Sequence, residues 1–331
     1  MREHLPLPML VTSAFALAGV LALRSAAHAL ILHGLRAPRV AHQRTPGDLG
    51  LAAQAVRVPT AQGKTLFAWF VPAPSPPPGA LPSPAVVVMH GWGANASLML
   101  PALAPLHAAG FAVLLVDARC HGQSDGASFT SLPRFAEDIE AGLDWLQLQT
   151  HIDPQRLAVM GHSVGAGAAL LCATRRSDVK AVVSLSAFAH PRDIMRLYLS
   201  EARIPYPVLG WYVMRHVQRV IGARFDDFAP LTSMARLRCP VLLVHGIDDA
   251  VVPFGDAQRL FRAAPPGQVQ NLNVRGGHDP GQALVDHVPA LIGFLHDAVA
   301  RPGTFLTTEK THEKITHHPG TGLARACEPS H

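Results

Sequence analysis

The apolar positions of this chain fall into three regimes. At the N-terminus they run almost without a break: Leu5 to Leu23 carries no charge, and beyond Arg24 the stretch from Ser25 to Leu35 is again uncharged. A helix of that first length spans roughly 28 Å, close to the thickness of a bilayer core. Between residues 53 and 300 short apolar runs alternate with amphipathic stretches. From Arg301 to His331 the chain is rich in Thr, His, Gly and Pro with no apolar period, which predicts a disordered tail.

The middle regime reads as strands and helices in alternation. Ala53–Val58 and Lys64–Val71 have β-type content and are joined by the turn-like Thr60–Gly63. Pro72–Pro84 holds seven prolines in thirteen residues and predicts an extended surface loop. Further strands are expected at Ala85–Met89, Ala112–Val116, Arg156–Met160, Val179–Leu185, Val241–Val244 and Val269–Val274. The continuous apolar runs among them suit strands covered on both faces. Helices are expected at Ala96–Ala109, Phe135–Gln149, Val164–Arg175, Phe254–Ala263 and Gly281–Val299. In the second, Phe135, Ile139, Leu143 and Leu146 share a face; in the last, Leu284, Val288, Leu291 and Leu295 form a stripe. The alternation predicts an α/β fold with a mostly parallel sheet flanked by helices. Residues 186–238 separate two strands by far more than a simple crossover and predict a helical cap insertion. All three tyrosines, Tyr198, Tyr206 and Tyr212, lie there with Trp211, Met195 and Met214, and most of these aromatics are expected to be the cap's own core.

The organisation expected is therefore a membrane anchor over residues 1–36, a polar connector over 37–52, one domain over 53–300 and the tail over 301–331. Two other readings of the N-terminus remain open. Ala27-His28-Ala29 resembles a signal-peptide cleavage site. A buried or surface helix is the third reading. Arg24, Arg36, Arg39 and Arg44 follow the apolar run while only Arg2 precedes it, so the positive-inside rule puts the following domain of a single-pass protein on the cytoplasmic side.

Composition narrows the classes. With 49% hydrophobic and 15% charged residues, the 331-residue chain is not a solvating, disordered one. The net charge of +5 comes with no dense Lys/Arg run, so nucleic-acid binding is not indicated. Cys120, Cys172, Cys239 and Cys327 are scattered without metal or redox spacing and read as buried free thiols. The 19 histidines form no metal-binding pattern, so no metal is expected.

Chemistry concentrates in the loops that follow strands. Gly161-His162-Ser163-Val164-Gly165 lies between an apolar strand and a helix of small residues. In that context the turn lifts Ser163 above the sheet edge at a helix N-terminus, where N–H groups favour negative charge. A spectator serine in a glycine-rich turn is the plainer alternative. A serine nucleophile needs a base. His278 follows the strand Val269–Val274, whereas His287 and His296 fall inside the last helix. The acid expected after Val241–Val244 is Asp249, with Asp248 as the alternative. Its task is to fix the imidazole tautomer and stabilise the imidazolium. An oxyanion hole would take one N–H from Val164 and a second from His90-Gly91-Trp92-Gly93, where the N–H of Trp92 is the candidate.

These pieces together resemble the α/β-hydrolase superfamily, most closely its esterase and serine-aminopeptidase-like members. The resemblance rests on His90–Gly93, Asp117–Ser124, Gly161–Gly165, His245–Pro253 and Gly277-His278, in family order, and covers Ala53 to Val299. It implies an eight-stranded, mostly parallel sheet, a Ser–Asp–His triad and no cofactor. It favours Asp249, which fits the family's His-Gly-x-x-Asp segment. The chain departs from the pattern at Cys120, where the family commonly has Gly. The expected activity is hydrolysis of a carboxylic ester or thioester of a small acyl substrate by a membrane-tethered enzyme. Alternatives are a serine peptidase releasing N-terminal residues, for which Asp193, Glu201, Asp226 and Asp227 of the cap offer carboxylates, and a non-catalytic membrane-associated binding module.

Overall fold

The computed structural model describes residues 7–74, 81–279, 281 and 285–300, with side chains from residue 15 onward. The expected tail, Cys327, residues 75–80 of the proline-rich loop and Leu284 lie outside the described residues.

Eight strands form one sheet: β1 (Gln54–Thr60), β2 (Lys64–Val71), β3 (Ser83–Met89), β4 (Ala112–Val116), β5 (Ile152–His162), β6 (Val179–Leu185), β7 (Val241–Gly246) and β8 (Val269–Val274). Their order across the sheet is β1-β2-β4-β3-β5-β6-β7-β8. β2 is antiparallel to both its neighbours, and every other pairing is parallel. The loop expected to end at Pro84 ends earlier, because Ser83 already pairs with Ile152 and Pro84 enters the strand at its first turn of the ladder. Proline is tolerated at such a strand start.

The strand side chains alternate between two cores. Ala85, Val87 and Met89 of β3 face one side with Leu114 and Val159, packed under α3 (Leu132–Gln147) and α4 (Val164–Arg175). Val86 and Val88 face the other with Leu115 and Met160, covered by α2 (Leu100–Ala108) and by the last described helix, Val288–Ala300. Both faces are dry, which is why the strands read as continuous apolar runs. Gly281, Val285 and Asp286 are helical, but His287 is a turn, so the helix expected over Gly281–Val299 is broken before Val288. Pro289 is the reason: a proline lacks the N–H that a helix interior needs and fits only in a first turn.

Between β6 and β7 the chain forms α5 (Pro191–Glu201), a wide turn at Tyr206–Gly210, α6 (Trp211–Ile221), α7 (Phe225–Phe228) and α8 (Pro230–Met234). Met214, Val217, Phe225 and Phe228 are its buried contribution. Of the aromatics expected in its core, Tyr198 is 50% and Trp211 57% exposed, while Tyr206 is half-buried against the core. α9 (Phe254–Ala263) follows β7, and the last described helix is α10 (Val288–Ala300).

At the N-terminus a single helix, α1 (Leu7–Gly34), continues through Arg24. Phe15–Gly34 of it is long and apolar enough to cross a membrane, with a mean hydropathy of 1.8. Its last turns rest on the domain, with Ile31 and Leu32 half-buried against the core and Leu35 buried. The segment after α1 lies along the loops at the sheet's edge. Arg39 donates to the carbonyls of Gly122 and Ser124 at 2.9 and 2.8 Å, and Asn95 Nδ2 donates to the carbonyl of Val40 at 2.9 Å.

Candidate active site

The carboxyl ends of β3, β5, β7 and β8 carry the four loops singled out in the sequence, at the edge where parallel α/β sheets gather their ligands. Ser163 occupies the turn between β5 and α4 with φ 54° and ψ −117°, a left-handed conformation that a serine adopts only under constraint. The constraint is close packing of backbone. A Cβ on Gly161 would stand 2.2 Å from the carbonyl oxygen of Gly165, and one on Gly165 would stand 2.3 Å from that of His90. Only glycine fits at either position, so the strand can fold straight into the helix and leave Ser163 at the crest.

The structure brings Asp249 and His278 together. His278 Nδ1 donates to Asp249 Oδ2 at 2.8 Å, and the carboxylate is fully buried while the imidazole is 20% exposed. The other oxygen, Oδ1, accepts the N–H groups of Val251 and Val252 at 2.9 and 2.8 Å. These bonds hold the carboxylate oriented toward His278. Gly246 lets the two loops touch, since a Cβ there would lie 2.4 Å from the carbonyl oxygens of Gly276 and Gly277. Asp248, the alternative acid, is exposed, and its backbone N–H donates to the carbonyl of Gly276.

The serine hydroxyl forms no hydrogen bond with the His278 ring among the described residues. The two loops are joined instead through the neighbour of Ser163. His162 Nε2 donates to the carbonyl of His278 at 2.8 Å, and the two rings lie 4.7 Å apart at 51°. A catalytic contact of this kind commonly tightens only when substrate fills the gap. His162 is an addition that reading the sequence missed. Its position beside the nucleophile was visible, but nothing in the spacing tied it to residue 278. Burial, and then the nearby His278, push its pKa down to about 4, so the ring is neutral at physiological pH.

The loop after β3 closes over the serine turn: a Cβ on Gly91 would meet Ser163 Cβ at 3.3 Å. The N–H groups of Trp92 and Val164 have no hydrogen-bond partner among the described residues. That leaves two backbone donors free beside Ser163. The next N–H, of Gly93, is taken by His121 Nε2 at 3.1 Å. His121 and His90 each donate from Nδ1 to a backbone carbonyl, of Arg119 and Gly91, and accept at Nε2, so both are neutral in this arrangement. Burial pushes the His90 pKa down to about 3 and lowers that of His121.

A family model described as "Serine aminopeptidase, S33" matches residues 80–222. An uncharacterized protein of Mycobacterium tuberculosis strain H37Rv is 30% identical over 242 residues, covering 72% of this chain and 78% of the relative. The chain belongs to the α/β-hydrolase superfamily. A 31.7 kDa protein encoded in the traX-finO intergenic region of Escherichia coli is 35% identical over 232 residues, covering 58% of this chain and 81% of the relative. Among solved structures, an esterase of Pyrococcus furiosus superposes with a TM-score of 0.64 at 21% identity over 80% of this chain and 98% of its own. A puromycin-hydrolyzing peptidase of M. tuberculosis superposes with a TM-score of 0.60 at 23% identity over 75% of this chain and 39% of its own. At such identities these structures establish the α/β-hydrolase fold.

Within that fold the departure at Cys120 is accommodated. Cys120 keeps the left-handed backbone, φ 69°, that a glycine would adopt. Its N–H donates to the carbonyl of Asp125, and its buried sulfur accepts the N–H of Ala127 at 3.2 Å. Cys172 and Cys239 are also buried and free. Burial pushes the Cys239 thiol up to about 12 and that of Cys172 well above its usual range, so both stay protonated and unreactive.

Proposed function

We propose that this α/β hydrolase is a serine hydrolase that cleaves carboxylic ester or thioester bonds through an acyl-enzyme on Ser163. The observation that carries the reading is the buried Asp249–His278 pair, 2.8 Å across, on loops packed against the turn that carries Ser163. His278 Nε2 takes the Ser163 proton as Oγ attacks the acyl carbonyl. Asp249 holds the Nδ1 proton and stabilises the imidazolium without accepting it. The N–H groups of Trp92 and Val164 stabilise the tetrahedral oxyanion. Collapse expels the alcohol or thiol, which leaves with the proton from His278. Water then attacks the acyl-enzyme with His278 again as base, releasing the acid and restoring Ser163.

A fluorophosphonate probe tests this reading on the intact protein. It should label the wild type and not Ser163→Ala. Failure of the wild type to label, or equal labelling of the variant, rejects it.

The family description favours a second reading, a peptidase that releases N-terminal residues. Such an enzyme needs a free carboxylate for the substrate amine. Asp193 pairs with Arg259 at 2.8 Å, Asp226 with His190 at 2.9 Å and Arg192 at 3.2 Å, and Asp227 accepts the N–H of Arg224. Glu201, the fourth cap carboxylate, is exposed and makes no ion pair among the described residues, so the cap still offers one carboxylate to a substrate amine. Turnover of p-nitrophenyl esters against aminoacyl anilides decides between them.

The apolar helix α1 is proposed as a single membrane anchor, with the hydrolase domain on the cytoplasmic side. A topology reporter fused at the C-terminus checks the side.

A further inference from the structure

α1 changes surroundings along its length. From Phe15 to Leu23 its side chains are bare: Phe15 is 75%, Leu17 61% and Leu23 72% exposed. After Arg24 one side of it touches the cap, where His28 Nδ1 is 2.9 Å from His216 Nε2 of α6, while Leu30 on the outer side stays 72% exposed. Four residues of helix separate Arg24 from His28, a rise of about 6 Å. If α1 is the anchor proposed above, on which this inference rests, with the uncharged run Leu5–Leu23 as its span, the apolar phase ends near Arg24. α6 then lies at the depth of the lipid headgroups.

α6 is built for that depth. It borders a basin of about 810 Å³ lined by Arg192, Arg215, Arg219 and Arg224 and by Asp226 and Asp227. Arg192 and Arg224 face Asp226, at 3.2 and 3.9 Å. Arg215 and Arg219 have no carboxylate partner among the described residues, and their spacing sets them one turn apart on the same face. Exposed guanidinium pairs suit a phosphate, which they can bind by forked hydrogen bonds. The turn leading into α6 is apolar and uncovered: Val208 is 78%, Leu209 51% and Trp211 57% exposed. A cationic basin beside an exposed tryptophan and two aliphatic side chains matches one occupant, with a charged head and a hydrocarbon tail.

We propose that the basin between α6 and α7 binds the phosphate of an anionic membrane lipid, with Arg215 and Arg219 as its ligands. Two measurements on the full chain test this. Flotation with phosphatidylcholine vesicles reports the anchor. Native mass spectrometry of the detergent-solubilised chain, titrated with phosphatidylglycerol or phosphatidylcholine, reports the basin. The chain should float and should retain phosphatidylglycerol in clear preference. R215Q/R219Q should lose phosphatidylglycerol affinity by roughly ten- to thirtyfold while still floating, since each basic residue near a membrane surface contributes about fivefold. R215K/R219K should keep much of the preference. Failure to float overturns the anchor and with it the placement of the basin. Flotation with equal retention of both lipids, or an unchanged R215Q/R219Q variant, overturns the basin alone. Displacement of phosphatidylglycerol by millimolar inorganic phosphate, bound with the same arginine dependence, makes it a soluble-anion site and overturns the lipid assignment.

Discussion

His162 joins two loops that the proposed chemistry requires to stay together. Its Nε2 proton goes to the carbonyl of His278, and its Nδ1 is buried without a partner. It therefore acts on His278 through the backbone and is a positioning residue. Replacing it with Ala frees the His278 loop by a fraction of an ångström, and small misplacements cost large factors in rate. kcat should fall about 10–100-fold in H162A with KM little changed. His162 also ties stability to pH. Its folded pKa of about 4 lies below the free imidazole value of 6.5, so between those limits the unfolded chain binds a proton that the folded chain refuses. Stability is thus lost as pH falls through that window. Urea unfolding at pH 7.5 and 4.5 should show wild type losing more than H162Q, by on the order of 2 kcal/mol. At Asp249, Asn should lower kcat by up to about 10⁴-fold, because it stabilises the wrong tautomer of His278. Asp248→Asn should leave the rate within a few-fold of wild type, since its side chain stands outside the pair. The residues proposed for chemistry were legible because each follows a strand end. His162 was not, because a backbone carbonyl more than a hundred positions away leaves no mark on the sequence around it.

At the scale of elements, the segment joining α1 to β1 is where sequence and structure diverge most instructively. Its prolines, glycines and polar residues suggest a connector, yet it is held to the molecule by bonds to distant loops. His42 Nε2 lies 2.9 and 3.1 Å from the two oxygens of the buried Asp117, and its ring stacks 4.4 Å from Trp69. Asp117 in turn accepts the N–H of Ala96 at 2.8 Å, four residues beyond Trp92. Removing the imidazole leaves a buried carboxylate short of a partner, at about 1–3 kcal/mol. His42→Ala should lower the unfolding midpoint and, through the loop that carries Trp92, reduce kcat more than it raises KM. Urea denaturation and steady-state kinetics on the same preparation separate the two effects. Polarity alone does not distinguish such a strap from a solvated linker, because its partners lie in other parts of the chain. The regular elements were legible for the opposite reason: β4, α4, β6, α9 and β8 begin and end as read, since each is bounded by a local change in pattern. α3 begins at Leu132, ahead of Phe135, because Pro133 fits a helix's first turn, a local signal passed over in favour of the apolar stripe.

For the whole molecule, the contacts of α1 define a boundary that differs from the apolar boundary. Among the described residues the helix is exposed on all sides from Phe15 to Leu23, its first polar contact with the domain is at His28, and Leu35 is buried in the main core. Two truncations therefore part company. Deleting residues 1–23 removes the exposed side chains of Phe15, Leu17 and Leu23 and leaves Leu35, Arg39 and His42 in place. That protein should no longer float with vesicles, yet should react with a fluorophosphonate probe at a rate within about twofold of the full chain. Deleting residues 1–42 also removes the partner of Asp117 and the contacts of Arg39 and Val40 beside the loop that carries Trp92. Losing several hydrogen bonds, most of them part-buried, at about 1 kcal/mol each is a large share of the margin by which a domain stays folded. This second protein should be destabilised and label slowly or not at all. If both truncations labelled alike, the strap would be ornamental to the site. If the shorter deletion already failed, the bare half of α1 would have to contribute to the fold, against its exposure.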